Sequence, residues 1–235
     1  MTDTTYSHVT IIIPTLNEAG NIASLVNAVF SLYTSISCLV VDDGSKDDTQ
    51  SIVRKEKERY PNLGLLDRST EPVKGLSASV VDGIRNCRTT HFVVIDGDGQ
   101  HPPEFIKDCV NTLTLGADLS IGTREPYATR WTFSRIVISY SAAILAKIRL
   151  LFSGVTIKDP MSGFFGGRTQ FVNDIISRHH KRFTMGGYKI LFDILKVVPK
   201  NCHISGFYYP FGLREYGTSK LNMKIVIRYL LSLFK

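Results

Sequence analysis

The sequence predicts an α/β fold in which a mostly parallel, twisted sheet is flanked by helices. Short, continuous apolar runs alternate with stretches of helical spacing through the first half of the chain. Strands that are apolar on both sides are typical of a parallel sheet that is covered on both faces. Three of these runs end in polar clusters, at residues 14–18, 42–49 and 96–101. Because ligands gather at the carboxyl ends of strands in such sheets, we expect the clusters to converge on one site.

The predicted elements follow one another in regular order. Apolar runs predict strands over residues 9–13, 38–41, 64–66, 91–95 and 117–121. Helical spacing predicts helices over residues 17–33, 47–60 and 76–86, and a further helix opened by Pro102, Pro103 and Glu104.

Two long apolar segments in the second half read as amphipathic helices. Residues 134–152 carry a narrow polar stripe, formed by Arg135, Ser139, Ala146 and Arg149. Residues 223–235 place Lys224, Arg228 and Ser232 four residues apart. Helices with a broad apolar face and cationic flanks can lie in a membrane interface, and packing against the core is the alternative. We predict one domain over residues 1–222, which includes the first interfacial helix, and a C-terminal amphipathic helix over 223–235.

Composition narrows the class of protein. The 235 residues suit one large domain, and the net charge of +7 implies an anionic partner, such as nucleic acid, a nucleotide or an anionic membrane. The 4 cysteines form no CxxC pair, which favours reduced thiols in a cytosolic setting over a zinc site. The N-terminal segment lacks signal-peptide features, and no apolar run reaches the roughly 18–20 residues that cross a bilayer.

The segment after residues 91–95 carries the most specific chemistry. It reads Asp96-Gly97-Asp98-Gly99-Gln100, so two carboxylates and an amide follow a buried strand. Mg²⁺ and Mn²⁺ prefer such hard oxygen ligands and usually share their site with substrate phosphates. We predict a Mg²⁺ or Mn²⁺ site on Asp96, Asp98 and Gln100, with a solvated acidic turn as the alternative. His101 is left out, because imidazole is a poor ligand for magnesium.

Eight motifs occur in an order that is typical of one family. They read IIIPTLNEAGNI, VVDDGSKDDT, KGLSASVVDGI, DGDGQHPPE, GTR, KDPMSGFF, GYKILFDIL and FGLREYGTSKL. With them the chain resembles the dolichyl-phosphate mannosyltransferases, within the inverting, metal-dependent GT-A polyprenyl-phosphate glycosyltransferases of family 2. The resemblance runs from Val9 to about Leu221. The family usually reads DADLQHPP, and here Gly97 and Gly99 replace the alanine and the leucine. Loss of the leucine at Gly99 is expected to loosen the metal loop.

The resemblance implies a function. A GT-A (Rossmann-like) catalytic domain would transfer mannose from GDP-mannose to the phosphate of dolichyl or polyprenyl phosphate with inversion, giving a β-linked product. UDP-glucose or another UDP-sugar is the alternative donor, and a non-catalytic basic membrane-binding module is the alternative of a different class. The implied location is peripheral, on the cytoplasmic face of the endoplasmic reticulum in a eukaryote or of the plasma membrane in a prokaryote. The resemblance implies small membrane subunits as partners, or else a chain that stops short of the C-terminal membrane spans that some relatives carry; nucleic acid is not expected.

One group of candidate residues is expected to bind the nucleotide-sugar donor. In the family, the loop with Pro14, Asn17 and Glu18 contacts the nucleotide, and helix capping by Asn17 is the alternative. The remaining donor candidates share positions at strand ends or in basic loops. They are Asp42 and Asp43 for base or ribose hydrogen bonds, Lys74 and Gly75 for backbone contact with the diphosphate, Asp96 and Gly97, and Arg214 and Lys220 in a late loop hinged at Gly217.

The candidates for binding the acceptor phosphate are mainly arginines. Arg124 follows the strand at 117–121, and in the family the residues matching Arg135 and Ser139 hold the lipid phosphate. An arginine fork can bind two phosphate oxygens at once, and Arg130 competes for this role. Asp98, Arg124 and Arg135 are thus the predicted catalytic residues. The segment 158–164 is expected to lie under the sugar, although Asp159 could merely cap a turn.

Overall fold

The computed structural model describes residues 6–125, 144–212 and 232–233. Its strands are β1 (Val9–Thr15), β2 (Ser37–Asp42), β3 (Leu63–Asp67), β4 (His91–Val94), β5 (Leu119–Arg124), β6 (Phe165–Arg168) and β7 (Ile204–Tyr209). Its helices are α1 (Ile22–Leu32), α2 (Thr49–Arg59), α3 (Leu76–Asn86), α4 (Ile106–Thr114), α5 (144–151), α6 (Thr169–His179) and α7 (Ile190–Leu195). Short 3-10 turns lie at Pro103–Phe105 and His180–Arg182.

The strands form one sheet of seven, in the order β3-β2-β1-β4-β6-β5-β7. All neighbouring pairs are parallel except those of β6, which runs antiparallel to β4 and β5. The predicted mostly parallel α/β sheet is confirmed. β6 was missed, because its Phe-Gly-Gly-Arg sequence carries little strand signal. Its glycines serve close packing: a Cβ at Gly166 would lie 2.7 Å from the carbonyl oxygen of Phe92.

Two apolar cores cover the two faces of the sheet. Side chains of α1, α2 and α4 pack on one face, and side chains of α3, α5, α6 and α7 pack on the other. β1 shows why the first strand reads as continuously apolar: all of its residues are buried, with Val9, Ile11 and Ile13 on one face and Ile12 on the opposite face. This two-sided burial directs the polar strand ends to the carboxyl edge of the sheet.

The first helix begins later than predicted, at Ile22 instead of residue 17. Asn17 has a φ of 54°, and its N–H donates to Ser45 Oγ at 2.8 Å. The N–H of Glu18 donates to Thr49 Oγ1 at 2.8 Å. These bonds tie the β1–α1 loop to the β2–α2 loop, so the segment cannot continue the helix. The alternative of capping by Asn17 is also wrong, because the residue that precedes α1 is Asn21.

Helix α5 exposes apolar side chains, which corrects the predicted polar stripe on this stretch. Ala146 is fully buried, and Arg149 turns inward to donate from Nε to Leu233 O at 3.0 Å. The exposed apolar residues are Ile144, Leu145, Ile148, Leu151 and Phe152. Arg135, Ser139, Lys224 and Arg228 lie outside the described residues. Among the helices that are described, none has the length and apolar character to span a bilayer.

Candidate active site

A cavity of about 170 Å³ opens at the carboxyl edge of the sheet. The end of β4, the end of β5, the start of β6 and the segment before α7 all contribute to it. Its polar and charged lining residues are Asp96, Asp98, Gln100, His101, Arg124, Ser162 and Lys189, and aromatic lining comes from Phe165, Tyr188 and Phe211. The structure therefore brings together the predicted metal residues and Arg124, which is the last residue of β5 rather than a residue after it.

The acidic wall of the cavity is built by a tight loop after β4. Asp98 is 6% exposed, and its Oδ1 accepts the N–H of Gln100 at 3.1 Å. Gly99 has a φ of 75°, a conformation that side-chain-bearing residues rarely adopt, so glycine is what permits this turn. The amide nitrogen of Gln100 donates to Gly212 O at 3.0 Å, which leaves its Oε1 as the atom able to face a cation.

The donor set suits a hard cation that is shared with a substrate. Within the described ranges, no three His, Cys, Asp or Glu side chains gather into a metal cage. Asp96 and Asp98 nevertheless line one cavity, and one or two carboxylates completed by substrate phosphates is the usual way in which proteins bind Mg²⁺. Space at this wall is restricted, because a Cβ at Gly163 would lie 2.6 Å from Asp96 Oδ2. The segment 158–164 therefore lies against the predicted metal ligand.

His101 supports the loop from behind. It is 1% exposed, and its Nδ1 accepts the N–H of Asp96 at 2.9 Å. Three aromatic rings surround it, those of Phe164, Tyr209 and Phe211. Burial lowers the pKa of His101, so the ring is neutral at pH 7 and holds the backbone of Asp96 in place.

We expect His101→Gln to flatten the loss of stability in mild acid. The unfolded chain protonates this histidine near a pKa of about 6.5, whereas burial lowers the folded pKa. The unfolded state then binds more protons as pH falls, so the free energy of unfolding decreases from pH 7 to pH 5. Urea unfolding of both proteins across this range measures the difference. His180→Gln, at an exposed position, controls for loss of an imidazole, and equal pH slopes for wild type and His101→Gln would contradict the assignment.

Arg124 is a cationic lining residue of the same cavity. Its Nε donates to Asp159 Oδ2 at 2.7 Å and its Nη2 donates to Asp159 Oδ1 at 3.1 Å, a two-point ion pair. Asp159 also caps its own turn, since Oδ1 accepts the N–H of Met161 at 3.1 Å. One edge of the arginine fork is thus occupied by protein, and an acceptor phosphate would meet the remaining N–H groups.

Asp42 is not among the residues that line the cavity, and its contact with a base or ribose stays a prediction. The residue is fully buried. Its two oxygens accept five hydrogen bonds, from Thr15 Oγ1, Gly44 N, Ser45 N, Ser45 Oγ and Gln50 Nε2. Asp42 therefore fixes the β2–α2 turn. Asp43 is 8% exposed and is paired with the buried Arg68, so in this structure its carboxylate is also used by the protein.

Lys74 and Gly75 also contact protein groups in this structure, and their contact with a diphosphate stays a prediction. The N–H of Gly75 donates to Asp43 Oδ2 at 2.7 Å, and the ammonium of Lys74 contacts the carbonyl oxygen of Arg68. At the start of α3, the N–H groups of Ser77 and Ala78 donate to Gly187 O and Met185 O, each at 3.1 Å. The first turn of α3 is thus capped by the segment before α7 instead of being open to an anion.

Two of the three residues predicted on the β1–α1 loop lie beside the acidic loop. A Cβ at Gly97 would lie 3.3 Å from Pro14 O and 3.5 Å from Glu18 Cγ. Asn17 points instead to the β2–α2 turn, where its Oδ1 accepts the N–H of Lys46 at 2.7 Å. Residues that the sequence placed near the acceptor or the diphosphate lie outside the described residues: Arg130, Arg135, Ser139, Arg214, Gly217 and Lys220.

Sequence reasoning missed Lys189 as a lining residue. It lies in the motif GYKILFDIL, and nothing in the spacing of that motif marks its lysine as part of a site. Only the close approach of the segment before α7 to the start of α3 brings it to the cavity.

The chain is similar in sequence to a known family of proteins. Residues 10–176 match the sequence profile described as glycosyl transferase family 2. The chain belongs to that family. Within it, this family-2 glycosyltransferase groups with the dolichol-phosphate mannosyltransferases. It is 33% identical to the Pyrococcus furiosus enzyme of that name over 97% of this chain and 63% of that protein. It is 32% identical to the Mycosarcoma maydis enzyme (94% and 76%) and 30% identical to the Saccharomyces cerevisiae enzyme (94% and 83%).

Solved structures of similar shape confirm the GT-A fold of this family-2 glycosyltransferase. Glucosyl-3-phosphoglycerate synthase from Mycobacterium tuberculosis superposes with a TM-score of 0.68 at 20% identity, over 96% of this chain and 78% of that one. The same enzyme in complex with Mn²⁺, uridine diphosphate and phosphoglyceric acid gives 0.66 at 21% identity, with equal coverage. At this identity the likeness concerns the fold alone.

Proposed function

We propose that this glycosyltransferase transfers mannose from GDP-mannose to the phosphate of a dolichyl or polyprenyl phosphate, with inversion at the anomeric carbon. The observation that carries the proposal is the similarity to three dolichol-phosphate mannosyltransferases along at least 94% of this chain. The chain spans 63% of the Pyrococcus relative, so the proposal concerns the activity of the shared part. The cavity, which both carboxylates and cations line, supports the same chemistry.

The acceptor can react without a general base. A phosphate monoester has a second pKa near about 6 and is largely dianionic at pH 7, so its oxygen is already a nucleophile. The task of the protein is then to position two anions and to stabilise charge on the leaving diphosphate. A single in-line displacement converts an α-linked donor into a β-linked lipid product.

Two groups of residues share this task, one for the donor and one for the acceptor. Asp96, Asp98 and the Oε1 of Gln100 would hold Mg²⁺ or Mn²⁺, which would supply positive charge to the leaving diphosphate. Pro14 and Glu18 border the acidic loop, and with Gly97 they would contact the nucleotide. Arg124 would direct the acceptor phosphate, and Arg135 and Ser139 are assigned the same role by resemblance.

The exposed face of α5 supports a peripheral position on a membrane. In the described part of α5, Ile148 is 49% exposed and Leu151 63%, and Ile144 and Leu145 are exposed as well. Phe152, directly after the helix, is 84% exposed. Such a concentration of exposed apolar area on a basic protein is typical of a surface that enters a lipid interface. A polyprenyl tail remains in the bilayer, so a site at the interface would meet its phosphate there, on the cytoplasmic face in this proposal.

Turnover by the purified chain in lipid or detergent tests the function. Separate reactions contain GDP-mannose, UDP-glucose or UDP-N-acetylglucosamine with a polyprenyl phosphate, with and without Mn²⁺ or Mg²⁺. We expect lipid-linked mannose only with GDP-mannose, and only when metal and lipid phosphate are both present. Transfer from a uridine donor alone would replace the donor assignment. Absence of transfer from every donor, with or without a membrane fraction that supplies small subunits, would contradict the proposal.

A further inference from the structure

Lys189 is the cavity cation that the proposed mechanism leaves without a task. It immediately precedes α7 and lines the cavity together with Asp96, Asp98 and Arg124. Its ammonium donates to Met161 O at 2.8 Å. An ammonium has three N–H donors, so this contact leaves capacity for a ligand.

The segment that carries Lys189 is held rigidly. Gly186 packs directly on Gly75, where an added Cβ would lie 3.0 Å from the carbonyl carbon of Gly186. The carbonyl of Lys189 accepts the N–H of Asp193 at 3.2 Å, and Asp193 Oδ2 accepts the N–H of Thr184 at 2.8 Å. Backbone bonds at both ends therefore fix the starting point of the lysine side chain, as expected for a preorganised binding group.

The charges around Lys189 favour an anion as its partner. Asp159, the carboxylate with the larger electrostatic effect on Lys189, is bound at two points by Arg124. In the described part of the chain Lys189 forms no ion pair, although Asp96 and Asp159 act on it electrostatically. Burial and the nearby Arg124 lower the pKa of Lys189 to about 8, so the ammonium is still mostly charged at pH 7.

We propose that Lys189 binds the acceptor's phosphate monoester in the cavity that Asp96 and Asp98 also line. This inference rests on the proposed function. Two phosphate-bearing substrates must approach each other, and their mutual repulsion requires a cation for each. Asp96 and Asp98 attract a metal to the donor side. Two of the nitrogens of Arg124 already donate to Asp159. Lys189 therefore supplies a second positive group for the acceptor phosphate.

The test compares Lys189→Met, Lys189→Arg and the control Lys181→Met, which removes an exposed lysine elsewhere. For each we measure the KM for polyprenyl phosphate, kcat, the affinity for GDP with Mn²⁺, and the thermal unfolding midpoint. We expect Lys189→Met to raise the acceptor KM by about 10–100-fold, the range of one hydrogen bond to a charged group. GDP affinity should stay within about twofold, and Lys189→Arg should recover part of the acceptor affinity.

The outcomes separate this proposal from the proposed function. An unchanged acceptor KM in Lys189→Met would overturn the role of Lys189 while leaving the transferase reaction intact, and a matching loss of GDP affinity would move the lysine to the donor side. If the wild type shows no turnover, direct calorimetry decides, with a short-chain prenyl monophosphate in detergent and the corresponding prenol as the uncharged reference. Phosphate-dependent binding weakened in Lys189→Met supports the proposal, and equal binding by both proteins refutes it. If Lys189→Met also lowers the unfolding midpoint, the acceptor KM of Lys189→Arg decides in its place.

Discussion

Replacing Asp98 by asparagine should lower lipid-linked sugar formation by about 10²–10⁴-fold, because a metal contributes several kcal/mol of charge stabilisation and each 1.36 kcal/mol is tenfold in rate. Asparagine keeps an oxygen for the N–H of Gln100, which Asp98 accepts at 3.1 Å, so the loop should retain its shape. The change removes one negative charge from a residue that is only 6% exposed. The affinity for Mn²⁺ in the presence of GDP should fall with the rate, which a spectroscopic titration measures.

The control for Asp98→Asn is Glu104→Gln, which neutralises an exposed carboxylate six residues further along the same connection. That variant should keep its metal affinity and its rate within about twofold, because an exposed charge beyond the cavity is screened by solvent. Rates and Mn²⁺ affinities for Asp98→Asn that match those of Glu104→Gln would remove Asp98 from the metal site.

Replacing Arg68 by methionine should lower the free energy of unfolding by about 3–5 kcal/mol, the cost of leaving a buried charge without its partner. Arg68 is 2% exposed and pairs with Asp43 and Asp82, the latter at 2.8 Å. Its Nη2 donates to Val73 O at 2.8 Å and its Nη1 donates to Ser79 Oγ at 3.1 Å. The residue therefore ties the ends of β2 and β3 to α3, and methionine can fill its volume without replacing these bonds.

Arg54→Met is the matched control on the same edge of the sheet. Arg54 forms an ion pair with Asp67 at 3.9 Å, in which the two side chains are 55% and 38% exposed. Such exposed pairs contribute about 0–1 kcal/mol. Urea unfolding of both variants should separate them by at least about 2 kcal/mol. Similar losses would mean that the Arg68 network adds nothing beyond a surface contact.

Local pattern was sufficient for the elements whose signal lies in their own residues. β1, β2 and α3 were predicted at or close to their observed bounds, because continuous apolar runs and helical spacing are properties of short segments. β6 was not predicted, since it pairs antiparallel with β4 and β5 after a long excursion of the chain. Its two glycines are explained only by the backbone and side chains that they must pass.

The site shows the same division between local and distant information. The sequence predicted that Asp96 and Asp98 would lie at one sheet edge with Arg124, and they line one cavity. It could not reveal that Asp42 is saturated by five protein hydrogen bonds or that the segment 185–187 caps α3. Those facts depend on neighbours that are distant in the chain, which residue type and spacing do not encode.

The sequence by itself determined the fold class, the order of the strands that end in polar clusters, and the acidic loop, because each follows from periodicity or from adjacent residues. The tertiary structure alone decided which carboxylates line the cavity. Asp42 and Asp43 are used by the protein, whereas Asp96 and Asp98 line the cavity. It also decided that Lys189 lines the same cavity and that α5 exposes apolar side chains. The physical reason is that availability depends on the hydrogen bonds and packing contacts a residue has already made with distant parts of the chain.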